Sequence, residues 1–342
     1  MPKIIAEMSG NHNGSLNHAL DIVRAVAASG AHLLKIQTYT ADTITLPVSG
    51  GLFDVSDNHQ LWGSRNLYDL YQEAHTPWEW HEPIFSLARE LGLTPFSTPF
   101  DETAVDFLEN LDIALYKIAS LEIIDLPLIR TVASTGKPMI ISTGAATLGE
   151  IEEAVVAARD GGCSDLTLML CTSSYPAKPE DAHLARLRAL KDLFGTKVGL
   201  SDHTQGIYTS LAAVALGADL IEKHVTLDRN WGGVDSEFSI EPSELEQLVL
   251  GAKEVASSIG NSSSWRKISE SESLRHRPSI YVTKRVLKGD LVSLENVRTV
   301  RPSGGLEPKH IPVVIGRKFL CDLDVGTPLD WSLISNQDEQ QE

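Results

Sequence analysis

Eight short apolar runs, separated by segments of helical period, fill the first 260 residues, and this alternation decides most of what the chain can fold into. The runs lie at 3–8, 32–37, 93–98, 113–118, 138–142, 166–171, 197–201 and 219–224. Between them, segments such as SLNHALDIVRAVAASG keep apolar residues on one face, here Leu16, Leu20, Val23 and Ala27. Ser15 is placed to cap that helix and Gly30 to end it. Thr147 with Glu150, and Ser243 with Glu246, have capping-box spacing at two later helix starts. Strands joined through helices imply right-handed βαβ units and a parallel sheet. Eight of them fit an α/β fold of the closed (β/α)8 TIM-barrel type better than an open doubly wound sheet. No G-x-G-x-x-G follows the first strand to support dinucleotide binding.

In a parallel barrel the C-terminal strand ends converge on one rim, where such folds build active sites. Here those ends are polar. Glu7 closes the first run, Lys35 and Gln37 the second, and Thr98 the third. Lys117 and Ser120 follow the fourth, Ser201, Asp202 and His203 the seventh, and Glu222, Lys223 and His224 close the eighth. The set suits an anionic substrate and offers two histidines to a metal. His203 and His224 end adjacent strands, so their imidazoles can share one divalent ion, Mn²⁺ first and Mg²⁺ or Co²⁺ next. Such an ion would polarise a carbonyl oxygen. Glu222 lies two residues before His224 and so faces the same side; it either holds a metal-bound water or pairs with a lysine. Glu7, beside lysines, is placed for acid–base work or for ion pairing. Asn11 and His12 either shape the loop over the rim or make turn hydrogen bonds.

The net charge of −17 argues against sequence-independent nucleic-acid binding, which needs clustered cations. It also means that an anion site must concentrate its positive groups locally, as Lys35, Lys117 and Lys223 would. Cys163, Cys171 and Cys321 have no paired or metal-ligand spacing, which suits a reduced, cytoplasmic setting. KIIAEM enters a strand without a signal-like segment, and no apolar run approaches the roughly 20 residues of a membrane span. A soluble protein is expected.

The chain divides into a catalytic barrel over 1–260, a polar linker over 261–278, a β-rich module over 279–337 and an acidic tail over 338–342. The module is marginal alone and needs a docking partner. Within the barrel, 41–80 is too long for a plain connection. Its Phe53, Trp62, Tyr68, Tyr71, Trp78 and Trp80 indicate an ordered excursion over the rim, its tryptophans either packing or covering an apolar end of the substrate.

The segments IAEMSGNHNGSL, LLKIQTYTADTITL, PFSTPFD, YKIAS, ISTGAA, CTSSYP, GLSDHT and IEKHVTLD occur in an order that resembles the sialic acid synthase family. The C-terminal KGD and RPSGGL segments resemble that family's antifreeze-protein-like (SAF) domain. The resemblance implies condensation of phosphoenolpyruvate with an amino-sugar aldehyde to a nine-carbon 2-keto-3-deoxy acid. It puts Lys35, Lys117, Thr98, Ser120 and Ser201 around phosphoenolpyruvate. Glu122, Asp235, Gln37 and Tyr175 match sugar-contacting positions, and Glu122 is a second candidate for proton transfer. Arg301 would reach the sugar from the partner subunit of a domain-swapped homodimer.

The segment LWGSRNLYDLYQEAHTPWEWH resembles the pseudaminic acid branch. Ser173 and Ser236 stand where neuraminate synthases usually carry asparagine and histidine, in what the resemblance makes the sugar half of the site. A legionaminate or neuraminate precursor remains an alternative substrate. Two readings from other classes are a metal-dependent barrel aldolase, which needs no phosphate cradle, and a non-catalytic ice- or glycan-binding protein.

Overall fold

All eight runs form parallel strands, and the last pairs with the first. In this structure, a computed structural model describing residues 1–56, 61–63, 65–260, 263 and 265–336, they are β1 (Lys3–Glu7), β2 (Leu33–Thr38), β3 (Thr94–Pro99), β4 (Tyr116–Ile118), β5 (Met139–Ser142), β6 (Leu166–Cys171), β7 (Lys197–Asp202) and β8 (Leu220–His224). The barrel closes in sequence order, with Glu7 opposite Lys35 on one side and His224 on the other. Side chains alternate between the two faces of a strand. Ile5, Leu33, Phe96, Leu115, Ile140, Met169 and Leu220 pack together as one inner cluster. Their neighbours, among them Ile4, Leu34, Ile36, Tyr116, Ile118, Leu168 and Ile221, belong to the larger core shared with the helices.

Local signals place most helix ends. Ser15 caps Leu16–Ala28 by accepting from the His18 amide, and Thr147 and Glu150 form a reciprocal capping box before Leu148–Asp160. The helix before the second module starts two residues earlier than the Ser243–Glu246 spacing predicts. Pro242 opens it, and Glu241 and Glu244 form its capping box. Proline is well suited to a first helical position because it has no amide hydrogen left to satisfy. The 41–80 excursion carries helices Ala41–Ile44 and Leu67–Ala74.

Asn261–Glu342 forms a second compact unit, which includes the segment read as a linker. That segment makes short turns at Ile268–Glu270 and Ser273–His276, and Ser303 N–H donates to Arg275 O, so part of it belongs to the module. The unit has its own core of Ile280, Val282, Val297, Phe319 and Leu329. Among the described residues its only two-stranded sheet is β9 (Ser279–Val282) against β10 (Val297–Val300); the rest of its β character consists of isolated bridges. The RPSGGL segment runs against β9 so closely that a Cβ on Gly305 would lie 2.6 Å from Ile280 O. The acidic tail at 338–342, and residue 337, lie outside the described residues. No described helix is long and apolar enough to cross a membrane.

Candidate active site

Directly above the apolar floor of the barrel, strand alternation brings one inward residue from each strand into a single layer: Glu7, Lys35, Thr98, Lys117, Ser142, Cys171, Ser201 and Glu222. Six of them, all but Ser142 and Cys171, are linked to one another by ion pairs and hydrogen bonds. Lys35 Nζ is 2.7 Å from Glu7 Oε2, 3.7 Å from Glu222 Oε1 and donates to Thr98 Oγ1 at 3.2 Å. Lys117 Nζ donates to both Glu222 oxygens, at 2.8 and 2.9 Å, and Ser201 Oγ donates to Glu222 Oε1 at 3.1 Å. Glu222 is therefore the lysine-paired carboxylate. Ser142 and Cys171 were not among the residues picked out by strand-end polarity, although the same alternation marks them. The Ser142 hydroxyl is buried without a hydrogen-bond partner.

Two expected rim groups point the other way. Asp202 and Lys223 occupy outward positions, between inward Ser201, Glu222 and His224. Their side chains pair at 3.1 Å behind the barrel wall, where Lys223 also donates to Thr204 O. Lys223 thus supplies no charge to the mouth. The positive field there comes from Lys35 and Lys117.

Burial and charge split the two carboxylates. Burial pushes Glu7 up to about 7, because Lys35 only partly offsets the desolvation and Glu222 adds repulsion. Burial acts on Glu222 too, but Lys117 and Lys35 together hold it well below the usual carboxylate range. The layer thus contains one firmly ionised carboxylate and one able to carry a proton near neutrality.

Over this layer opens a cavity of about 460 Å³. Its polar side includes Ser9, Gln37, Ser120, Glu122, Tyr175, His224 and Asp235. Gln37 Nε2 donates to Glu7 Oε1 at 3.3 Å and to Ser9 Oγ at 3.1 Å, which links the cavity to the charged layer. Glu122, on the turn Leu121–Ile124 after β4, is raised by burial to about 7. Burial also raises Asp235, against hydrogen bonds from Ser9 and the Gly10 amide. The Tyr175 ring lies between Trp62, at 5.6 Å, and His203, at 4.4 Å. Trp62 borders the cavity, whereas Trp78 stacks on Phe107 and Trp80 meets His12 edge-on, so those two pack. Asn11 Nδ2 donates to Val225 O and Ser239 Oγ, and His12 Nδ1 accepts from Gly14 N–H, so both brace the first loop.

Ser120 Oγ accepts from the Gly144 amide at 3.2 Å. A Cβ on Gly144 would lie 2.7 Å from that oxygen and 2.3 Å from Ser173 Oγ. Only glycine lets the two serines stand where they do. Ser173 borders a separate cavity of about 270 Å³ with Cys171, and its hydroxyl is buried without a partner. Ser236 also faces away from the sugar-sized cavity. It lines an outer cleft and turns its hydroxyl to Gly233 O at 3.2 Å. Arg301 is exposed in the second unit, just past the end of β10.

His203 and His224 stand side by side, ring centroids 5.3 Å apart. His203 Nδ1 lies 3.0 Å from Thr172 O, an arrangement that leaves Nε2 free to ligate. His224 Nδ1 is buried with no hydrogen bond, 3.8 Å from Asp235 Oδ2. Burial, with His203 and Lys35 adding to it, holds His224 neutral, the form that ligates. No group of three or more histidine, cysteine or carboxylate side chains with metal-ligand geometry occurs among the described residues. The two imidazoles fit an open site that leaves most positions to substrate and water.

The NeuB family matches residues 22–264, and the SAF domain matches residues 277–335. The chain is 41% identical to the pseudaminic acid synthase of Helicobacter pylori, over 96% of each chain. It is 36% identical to the N,N'-diacetyllegionaminic acid synthase of Campylobacter jejuni, over 92% of this chain and 94% of the relative. Among solved structures, it is similar to the N-acetylneuraminic acid synthetase of Leptospira borgpetersenii, with TM-score 0.71 and 32% identity, covering 80% of this chain and 90% of the other.

Proposed function

The chain belongs to the NeuB family, and on that premise we propose that it is a pseudaminic acid synthase, joining phosphoenolpyruvate to 2,4-diacetamido-2,4,6-trideoxy-altrose and releasing phosphate. The observation that carries the reading is the charged layer beneath the cavity. Two buried ammonium groups, Lys35 and Lys117, are neutralised by two carboxylates that an incoming anion can displace. An aldolase acting without phosphoenolpyruvate has no use for this arrangement.

Carbon 3 of the enol ether bonds to the aldehyde carbon, leaving cationic character at carbon 2. Water adds there, and the tetrahedral intermediate expels phosphate with cleavage of the C–O bond, its C2 hydroxyl proton passing to solvent as the ketone forms and balancing the proton that Glu122 supplies. Lys35 and Lys117, with the hydroxyls of Thr98, Ser120 and Ser201, hold the phosphate and carboxylate as compact point charges and donors. Glu7, with its pKa near 7, takes the proton from the adding water and returns it to the departing phosphate. Glu122, also near 7, gives a proton to the oxygen that was the aldehyde. Gln37, Tyr175 and Asp235 orient the sugar. Holding both substrates in one cavity replaces a bimolecular encounter, which is the largest contribution positioning can make. His203 and His224 would hold a divalent ion, Mn²⁺ before Mg²⁺ or Co²⁺; when bound, it supplies Lewis-acid polarisation of the aldehyde.

The proposal extends to a cytoplasmic homodimer in which the SAF module of one chain brings Arg301 to the site of the other. Its support is the exposure of Arg301, together with Trp265 at 97% and Ile268 at 94% exposed in the same unit. Three cysteines outside any disulfide suit a reducing compartment.

The test is phosphate release from phosphoenolpyruvate, with and without Mn²⁺, offering the altrose sugar, the legionaminic precursor and N-acetylmannosamine separately. Release with the altrose sugar supports the reading. Release with another sugar keeps the chemistry and moves the branch, and silence with all three overturns it.

A further inference from the structure

Helix Leu67–Ala74 presents Leu67, Leu70, Tyr71 and Ala74 to the cavity, a complete i, i+3, i+4, i+7 stripe. Its opposite face is polar: Asp69, Gln72 and Glu73 are exposed, Tyr68 Oη donates to Asp42, and Arg65 pairs with Glu73. An amphipathic helix normally lays its apolar stripe on the core. This one turns it toward the cavity, with Leu70 only 5% exposed and Ala74 packed close to Gly10. Phe100 extends the same wall, held through Tyr39, whose ring meets Phe100 at 5.1 Å and Tyr71 at 5.8 Å. Gln37 and His224, on β2 and β8, mark the side nearest the charged layer, where the aldehyde must approach phosphoenolpyruvate. The apolar wall therefore faces the distal end of a bound sugar.

We propose that this stripe, centred on Leu70 and Tyr71, is the specificity element that accepts the terminal methyl of a 6-deoxy sugar and disfavours a 6-hydroxyl. The inference rests on the sugar-condensing reading above and adds the part of the substrate that this wall reads. A hydroxyl pressed against Leu67, Leu70 and Phe100 would lose its water without gaining a partner. An apolar pocket rejects an added hydroxyl by no more than about a hundredfold, so the effect is graded rather than absolute.

The experiment compares kcat/KM for 2,4-diacetamido-2,4,6-trideoxy-altrose with that for its 6-hydroxy counterpart, in wild type, Leu70→Ala and Tyr71→Phe. Leu70→Ala should lower the 6-deoxy to 6-hydroxy ratio by roughly tenfold or more while KM for phosphoenolpyruvate stays within about twofold. Tyr71→Phe, which keeps the ring, should leave the ratio unchanged. Should Leu70→Ala fail to fold, the half-buried Leu67→Ala on the same stripe gives the same readout. An unchanged ratio, an equal loss with both sugars, or a ratio that collapses in Tyr71→Phe overturns the inference while leaving the reaction intact. Wild-type silence with the 6-deoxy sugar, alongside turnover of N-acetylmannosamine, would remove the functional reading and this inference together.

Discussion

Lys117 Nζ bridges both carboxylate oxygens of Glu222, at 2.8 and 2.9 Å, while Lys35 lies 3.7 Å from the same group. One carboxylate thus holds both cations of the mouth together. Phosphoenolpyruvate must compete with Glu222 for them.

Removing one member of a buried pair costs about 3–5 kcal/mol, because the other charge stays buried without compensation. Glu222→Gln should therefore lose stability of that order in anion-free buffer. Saturating phosphate or phosphoenolpyruvate should restore most of it by occupying Lys117 and Lys35. Thermal unfolding with and without phosphate reads this out. A variant equally depressed in both conditions would mean that Glu222 braces the barrel without standing in for substrate.

Glu122 gives a prediction in pH. Burial raises its pKa from 4.5 to about 7, so the folded protein favours the neutral acid. Its stabilising contribution is complete below the unfolded value and is lost as pH rises through the folded one. Relative to Glu122→Gln, wild type should become less stable between about pH 4.5 and 8, by roughly 2–3 kcal/mol after allowing for partial exposure. Urea unfolding of both proteins across that range provides the measurement. Parallel stability curves would show that the carboxyl is not desolvated.

The eight strands were legible because each is a short apolar run with a polar end, and every one lies within a few residues of its predicted bounds. The inward layer was legible only in part. Glu222 and Lys223 are adjacent in sequence, so they cannot both face the mouth. Counting polar ends without alternation admitted Lys223 and passed over Ser142 and Cys171. The stripe at 67, 70, 71 and 74 is equally plain as a helical period. Periodicity, however, reports which face is apolar and not whether a core or a chamber lies against it. The positions of Ser173 and Ser236 depend on loop paths that no local pattern encodes.

Glu7 couples anion binding to protonation. It already sits near 7 with Lys35 beside it, and an anion drawn to Lys35 would both weaken that pairing and repel the carboxylate. Its pKa must then rise further. Binding of phosphoenolpyruvate near pH 7.5 should therefore take up a fraction of a proton. Calorimetry in buffers of different ionisation enthalpy measures that fraction, and Glu7→Gln should abolish it. Proton release in wild type, or uptake that survives in the variant, would move the proton chemistry to another group.

Two variant chains can test the proposed dimer. Lys117 belongs to the barrel layer and Arg301 to the SAF module, so on the proposed swap Lys117→Ala and Arg301→Ala would each remove one component of a site. If a site takes its barrel from one chain and its arginine from the other, a mixed dimer contains one doubly damaged site and one intact site. Co-expression of the two variants in equal amounts yields mixed dimers as half the population, so activity should recover to about a quarter of wild type. A site built within one chain leaves every site in the mixture damaged, and no recovery follows. Recovery on co-expression, together with a dimeric mass in solution, is the expected result. A monomeric mass, or a dimer whose activity never exceeds the sum of the two variants, would assign Arg301 to its own surface.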